Sequence, residues 1–401
     1  MARQTRHVLL TWELGDSFGH IARCQQLARS LSAREVRVTM VFKDICLPTP
    51  LTCADPVQII QAPATSEPPV AMAPRNHAEL MLACGFGQVE SLAARLRAWL
   101  SMLSLLAPDV VVADHAPTAL LAAHVAGLPR VVLGNGFSAP PAQHPWPPFT
   151  TWHQAPEATL IEAEKCVDQH IAQALRSLGC THSAPASRSL YDAPLLLDTH
   201  PELDHYPARP PGAHYVGPLT ELPGSLAASW TRPSGAKVLA YLHRRTAGLP
   251  TILRALASLN AEVICVVPHP PGSSTDAMPA HDNVRLHTRP LHFPSLLPQA
   301  TLAISNGNGG FSTQSLRAGV PLAMYPRHTE QGLMSMAIER LGAGQIVADA
   351  LCVERTRDLL LHMMSTPAYT HHAQAFAQRY LSHSGEDAVN QSTEFILRTI
   401  G

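Results

Sequence analysis

Short runs of apolar residues alternate along this chain with segments in which apolar positions recur every three or four residues. A short apolar run predicts a strand buried on both faces, and the longer period predicts an amphipathic helix. On that reading His7 to Trp12 is a strand. Ile21 to Leu31 is a helix with Ile21, Cys24, Leu27, Ala28 and Leu31 along one face, and Val36 to Phe42 is the next strand. Ala93 to Leu106 is a helix, Val110 to Ala113 a strand, Ala119 to Ala126 a helix stopped by Gly127, and Arg130 to Leu133 another strand. Strands that alternate with helices imply an α/β domain with a parallel sheet. Proline-rich stretches, Ala62 to Pro74 and Ala139 to Pro148, predict long loops.

The periodicity then lapses. Tyr206 to Pro233 is rich in proline and glycine, which predicts a boundary between domains. A second α/β series follows: strand Lys237 to Leu242, helix Leu249 to Leu259, strands Glu262 to Val267 and Val284 to His287, and strand Leu302 to Ile304. A helix from Phe311 to Ala318 and a strand from Pro321 to Tyr325 come next, then helices at Cys352 to Met364, His372 to Ser382 and Glu386 to Ile400. The expected division is residues 1–215 for the first domain, 216–236 for the linker and 237–385 for the second domain. Residues 386–401 are expected to form a helix that packs back on the first domain. Two such domains are expected to face each other across a cleft at the C-terminal ends of their strands, the usual ligand site of open α/β sheets.

Composition narrows the partners. A formal net charge of -1 over 401 residues gives no reason to expect a nucleic acid. No apolar run approaches the roughly 20 residues that span a bilayer, so no integral membrane segment is expected. Arg3 and Arg6 precede an apolar run that Glu13 and Asp16 cut short, which reads as a first strand rather than a signal peptide. The 8 cysteines are scattered without a C-x-x-C pair, as in a reduced cytoplasmic protein. No D-x-D triplet or helix-borne histidine pair points to a catalytic metal.

The chemistry concentrates in three places. Ser305-Asn306-Gly307-Asn308-Gly309-Gly310-Phe311-Ser312-Thr313-Gln314 joins a strand to a helix through a glycine-rich turn. Such a turn presents backbone N–H groups and a positive helix end to a phosphate. Glu330-Gln331, after the next strand, supplies hydrogen-bonding groups suited to a sugar. Gly19-His20 follows the first strand, where a histidine can take a proton near neutral pH; the competing reading is a helix-capping or loop histidine. Asp114 ends the strand Val110 to Ala113. It reads either as the acid that orients His20 or as an N-cap for the helix near Pro117, and the adjacent His115 is a rival base.

Gly19-His20, Val112-Ala113-Asp114, Tyr215-Val216-Gly217-Pro218-Leu219 and the block Asn306 to Gln331 follow the order seen in UDP-glycosyltransferases of the GT-B fold, and the chain resembles that family over most of its length. The resemblance implies two Rossmann-like domains, with His20 as the general base and Asp114 as its dyad partner. It implies a donor site made of Asn306, Gly307, Asn308, Gly309, Gly310, Ser312, Thr313, Gln314, Glu330 and Gln331. Departures are specific: Asn306 stands where the family has a phosphate-binding His, Asn308 replaces a glycine, and Gln314 replaces the Glu that holds the ribose hydroxyls. Phe311 takes a Ser/Thr position, with Ser312 and Thr313 beside it to donate to phosphate. His243-Arg244-Arg245 occupies the place of a short Ser/Gly turn, so Arg244 is a candidate phosphate ligand, with Arg245 and the weaker Arg289 beside it; a solvated basic loop is the alternative.

The expected activity is inverting, metal-independent transfer of a sugar from a nucleotide diphosphate, expected to be a UDP-sugar, to the hydroxyl of a small-molecule, glycan or lipid acceptor. The nucleotide-sugar is a substrate, and no cofactor is expected. Two rivals remain open. Phe18 to Cys24 also resembles the start of the nucleotide-sugar hydrolases of pseudaminic acid synthesis, and the altered Asn306 and Gln314 suit a non-catalytic nucleotide-sugar-binding partner protein.

Overall fold

In the computed structural model, the described residues are 5–15, 18–45, 57–64, 74–149, 155–180, 184–219, 226–269, 281–347 and 352–400. They form two compact units, Met1–Glu221 with Gly385–Gly401, and Leu222–Ser384. The first Pro-rich loop lies largely outside the described residues.

The first unit is built on strands β1 (His7–Trp12), β2 (Arg37–Phe42), β3 (Val57–Gln61), β4 (Val110–Asp114), β5 (Arg130–Gly134), β6 (Leu195–Leu197) and β7 (His214–Tyr215), all parallel, in the order β3-β2-β1-β4-β5-β6-β7. Its helices are α1 (Phe18–Ser32), α2 (His77–Met81), α3 (Val89–Leu106), α4 (Pro117–Val125) and α5 (Glu157–Ser177). The sheet is covered on both faces, which is why its strands are apolar without alternation. Val8, Leu10, Trp12, Val38, Met40, Val110 and Val112 pack on Ile21, Cys24, Leu27 and Leu31 of α1. Residues one position along, Leu9, Val41, Val111 and Ala113, pack on the other face against Leu92, Leu96 and Trp99 of α3, Leu120 of α4, and Val167 and Ile171 of α5.

The second unit repeats the plan with β8 (Ala236–Tyr241), β9 (Ala261–Val266), β10 (Val284–His287), β11 (Leu302–Ser305), β12 (Leu322–Met324) and β13 (Gly344–Ile346), parallel in the order β10-β9-β8-β11-β12-β13. Its helices are α6 (Leu249–Ala257), α7 (Gly309–Arg317), α8 (Thr329–Arg340), α9 (Val353–Ser365) and α10 (Pro367–Arg379). The last helix, α11 (Gly385–Thr399), belongs to the first unit. Its Ala388 and Ile396 are buried in the α1 face of that sheet, and Asn390 and Thr393 bond Arg34 and Ser30 at the end of α1.

The expected linker is shared out between the units. Val216 and Leu219 are buried in the first core, whereas Trp230 donates to the Leu296 carbonyl and Thr231 and Arg232 donate to Glu262 in the second unit. Among the described residues no helix is long and apolar enough to cross a membrane.

Candidate functional site

In each sheet the strand order reverses its direction of growth between two central strands, β1 and β4 in the first unit, β8 and β11 in the second. Loops diverge at such a switch point and leave a crevice at the strands' C-terminal ends. The predicted site residues fall at these two points. Trp12 pairs with Asp114 in the β1–β4 register, and Tyr241 pairs with Ser305 in the β8–β11 register.

In the first unit His20, in the opening turn of α1, directs Nδ1 at Oδ1 of Asp114, 2.9 Å away. Asp114 is fully buried and His20 is 7% exposed. Burial works against the Asp114 charge, but the charges of Arg23 and His20 and the bond from His20 outweigh it and hold the carboxyl below its usual range. An ionised carboxylate only accepts, so Nδ1 carries a proton, and in the neutral ring the lone pair therefore lies on Nε2. The imidazole stacks on Trp12, with ring centroids 5.3 Å apart and planes 17° from parallel, and Trp12 is fixed by donating Nε1–H to the Leu14 carbonyl. Nε2 faces Gly15: a Cβ built there would stand 2.9 Å from it, and the Gly15 φ of +85° is one that side chains rarely adopt.

The capping alternative for Asp114 does not match this geometry. The N-cap of α4 is Ala116, with no side-chain cap, and the α4 N–H groups of Thr118 and Ala119 are met instead by Glu13. His115 is itself buried, its ring centroid 6.2 Å from that of His20; Asp114 pairs with Nδ1 of His20, and the charge of His115 adds to the lowering of its carboxyl.

Sequence reasoning did not find Arg23 or Asp198. Arg23, one helical turn after His20, donates Nη1–H to the same Asp114 oxygen at 2.9 Å and forms an ion pair with Asp198, its Nε 2.8 Å from Oδ2. Asp198, just past β6, is pushed up to about 7 by burial, with Arg23 opposing and Asp114 adding to the rise. The two carboxyls share one guanidinium yet differ because Asp114 also has His20. The i, i+3 spacing of His20 and Arg23 was a readable signal, whereas Asp198 follows a strand too short to show a pattern.

In the second unit β11 ends at Ser305 and α7 begins at Gly309. The first bond inside the helix runs from Ser312 N–H to the Asn308 carbonyl. By helix geometry, the N–H groups of Gly309, Gly310 and Phe311 have no carbonyl within α7 to bond. Gly307, φ +79°, lies against α8 so closely that a Cβ would stand 2.5 Å from the Gln331 carbonyl oxygen. Asn308 is partly exposed, and its Oδ1 has no protein partner.

Three of the expected donor ligands are turned inward. Asn306 is 3% exposed and consumes its amide in the protein: Oδ1 accepts from His243 N–H and the Thr246 hydroxyl, and Nδ2 donates to the Tyr325 carbonyl. It ties together the loops after β8, β11 and β12. Ser312 bonds the Ser305 hydroxyl at 3.1 Å, and Thr313 is buried. Both lie on the face of α7 that packs inside the unit. Gln314 is partly exposed. Glu330 and Gln331 follow the loop after β12 and lie in the first turn of α8, and Gln331 Oε1 accepts from Arg327 N–H.

Arg244 and Arg245 are exposed on the loop after β8, and Arg327 and His328 are exposed on the loop after β12; the last two went unnoticed in the sequence. His243 is held below its usual range first by burial and then by the charges of Arg327, Arg244, Arg245 and His328. These groups therefore crowd one locality, around the loop that Asn306 ties to β11. Arg289 is exposed beyond β10. Among the described residues no three His, Cys, Asp or Glu side chains gather in a metal-binding group.

Comparison with known proteins agrees with this layout. Residues 250–394 match the family described as erythromycin biosynthesis protein CIII-like, C-terminal domain. A PGL/p-HBAD biosynthesis rhamnosyltransferase of Mycobacterium bovis is 26% identical over 341 residues, covering 78% of this chain and 72% of its own. The calicheamicin glycosyltransferase CalG4 superposes with a TM-score of 0.69 at 20% identity, over 99% of each chain. The spinosyn rhamnosyltransferase SpnG in complex with thymidine diphosphate gives a TM-score of 0.66 at 16% identity, over 97% of this chain and 100% of that one. The chain is a glycosyltransferase of the GT-B fold. It is similar at the family level to the UDP-glycosyltransferases whose motifs it carries.

Proposed function

We propose that this glycosyltransferase works by inversion and without a catalytic metal, with His20 as general base and a nucleoside diphosphate sugar as donor. The observation that carries the reading is the His20–Asp114 pair, with Nδ1 committed to the carboxylate and Nε2 left to accept. An acceptor hydroxyl at Nε2 gives up its proton as its oxygen attacks the anomeric carbon on the face opposite the diphosphate. Asp114 stabilises the resulting imidazolium and keeps the ring in the productive tautomer. General-base assistance of this kind is worth roughly 10²–10⁴ in rate.

The second unit holds the diphosphate in this reading. The N–H groups at the start of α7 and the guanidinium groups of Arg244 and Arg327 offset the charge of the leaving group. Asn306 serves by fixing the three loops rather than by touching the ligand. Glu330 and Gln331, at the start of α8, face the donor sugar. Thymidine diphosphate is our choice of nucleotide over the UDP expected from sequence. Its deoxyribose has one ribose hydroxyl fewer to satisfy, which suits a neutral Gln314 in place of Glu. SpnG is a rhamnosyltransferase solved with that nucleotide, and the mycobacterial relative is also a rhamnosyltransferase. We therefore take dTDP-rhamnose as the first donor to test. The acceptor is a small-molecule, glycan or lipid hydroxyl.

Proton NMR of the glycoside formed from dTDP-rhamnose decides the stereochemical part. The expected product has the anomeric configuration opposite to that of the donor, formed at an unchanged rate in EDTA. A product of retained configuration, or a rate abolished by EDTA, overturns this reading.

A further inference from the structure

Arg23 stands between two buried carboxylates. It is 5% exposed; its Nη1 donates to Asp114 Oδ1, and its Nε stands 2.8 Å from Asp198 Oδ2 in an ion pair. The oxygen it takes on Asp114 is the one that accepts from His20. The other Asp114 oxygen, Oδ2, is buried without a partner, and so is Oδ1 of Asp198. Arg23 and His20 meet on Oδ1, and this shared contact sets the rotation of the Asp114 carboxylate. A planar guanidinium can hold two carboxylates at fixed angles in a way an ammonium cannot.

We propose that Arg23 is a positioning residue for the base: anchored by Asp198, it pins the Asp114 carboxylate in the orientation that binds the Nδ1–H of His20, and Asp198 returns to the pair the negative charge that Arg23 withdraws. The inference rests on the reading of His20 as the base. Row and charge follow the chain His20, Asp114, Arg23, Asp198, drawn from α1, the end of β4 and the end of β6. With Asp198 ionised the row carries one net negative charge and balances an imidazolium at His20. With Asp198 protonated the same imidazolium leaves a net positive charge in a buried site, which is costly. The titratable neighbours that act on the row are Cys24 on α1, whose thiol burial pushes up, and His115 after β4; His200, buried two residues after Asp198, is the titratable group next along that segment. The titration of Asp198 near pH 7 therefore changes how well the site tolerates the protonated base.

Arg23→Lys keeps the charge and loses the two-point grip. Asp198→Asn keeps an acceptor for Arg23 and loses the charge. Nitrogen-15 NMR of the His20 ring, assigned with His20→Gln, reads the tautomer in the full chain without substrate. The wild type is expected to show protonated Nδ1 and bare Nε2, and Arg23→Lys a mixture of tautomers. Turnover of dTDP-rhamnose should fall about tenfold in kcat with KM unchanged in Arg23→Lys. Asp198→Asn should keep the wild-type tautomer and lose the activity step near pH 7. An unchanged tautomer in Arg23→Lys, or an unchanged pH profile in Asp198→Asn, overturns the inference whatever else is found. A shifted tautomer together with full turnover in His20→Ala supports the positioning and overturns the reading of His20 as the base.

Discussion

A Cβ on Gly15 would stand 2.9 Å from Nε2 of His20. The missing side chain at this position leaves room beside the nitrogen that the proposed chemistry needs. Gly15→Ala is expected to crowd Nε2 and to strain a backbone held at φ +85°. Turnover should drop at least about tenfold, as for a displaced base, with nucleotide binding in the second unit unchanged. Parallel kinetics and calorimetry check it, and wild-type turnover would place the acceptor elsewhere.

Asp114→Asn keeps the shape of the carboxylate and removes its charge. Arg23 retains Asp198 as a partner, so the unit should stay folded. The amide can no longer hold the ring in one tautomer or stabilise the imidazolium, and kcat is expected to fall by roughly 10²-fold or more. A circular dichroism melt beside the rate measurement separates loss of chemistry from loss of fold.

Asp114 and Asp198 link stability to pH in opposite directions. Asp198 keeps its proton up to about 7 in the folded chain, above the 3.8 of an ordinary aspartate. Between those values the folded state binds more protons than the unfolded one, so this group's stabilisation is full below the lower value and lost as pH rises through 7. Asp114, whose pKa is lowered, stabilises above the ordinary carboxylate range and stops doing so as pH falls through its folded value. Urea unfolding of wild type and Asp198→Asn across this range is the check. The variant should gain stability relative to wild type as pH rises from about 5 to about 8. A difference independent of pH would show that Asp198 does not titrate there.

The two candidate sites were legible in the sequence where an apolar run ended abruptly in a polar or glycine residue, as at Trp12, Ala113 and Ile304. Those runs are strands buried on both faces, so their ends mark the C-terminal edge of the sheet. Helix α5 went unread because its buried face includes Ala163, Ala174 and Glu164, which give little apolar signal. Glu164 is buried because it accepts from His144 and from the Trp146 N–H, partners far off in sequence. Strands β6, β7 and β13 are two or three residues long and carry no readable period. The inward turn of Asn306 was also hidden, since its partners His243, Thr246 and Tyr325 come from other loops.

Gln314 separates the two candidate nucleotides. A Gln supplies one acceptor where Glu supplies two, and a bond to a charged acceptor is worth about 1.5–3 kcal/mol against roughly 0.5–1.5 for a neutral one. Wild type is expected to bind thymidine diphosphate more tightly than uridine diphosphate. Gln314→Glu should tighten uridine diphosphate more than thymidine diphosphate in calorimetric titrations. Equal changes for both would show that Gln314 does not face the ribose.

The central claim is that the first unit supplies the base and the second unit holds the nucleotide, so the two functions can be separated by one substitution. The direct measurement is His20→Ala, assayed for transfer from dTDP-rhamnose and titrated with thymidine diphosphate in the same preparation. The account predicts that transfer is abolished while nucleotide affinity stays within about twofold of wild type, a change of less than about 0.5 kcal/mol. Retained transfer, or a large loss of nucleotide affinity, would contradict it.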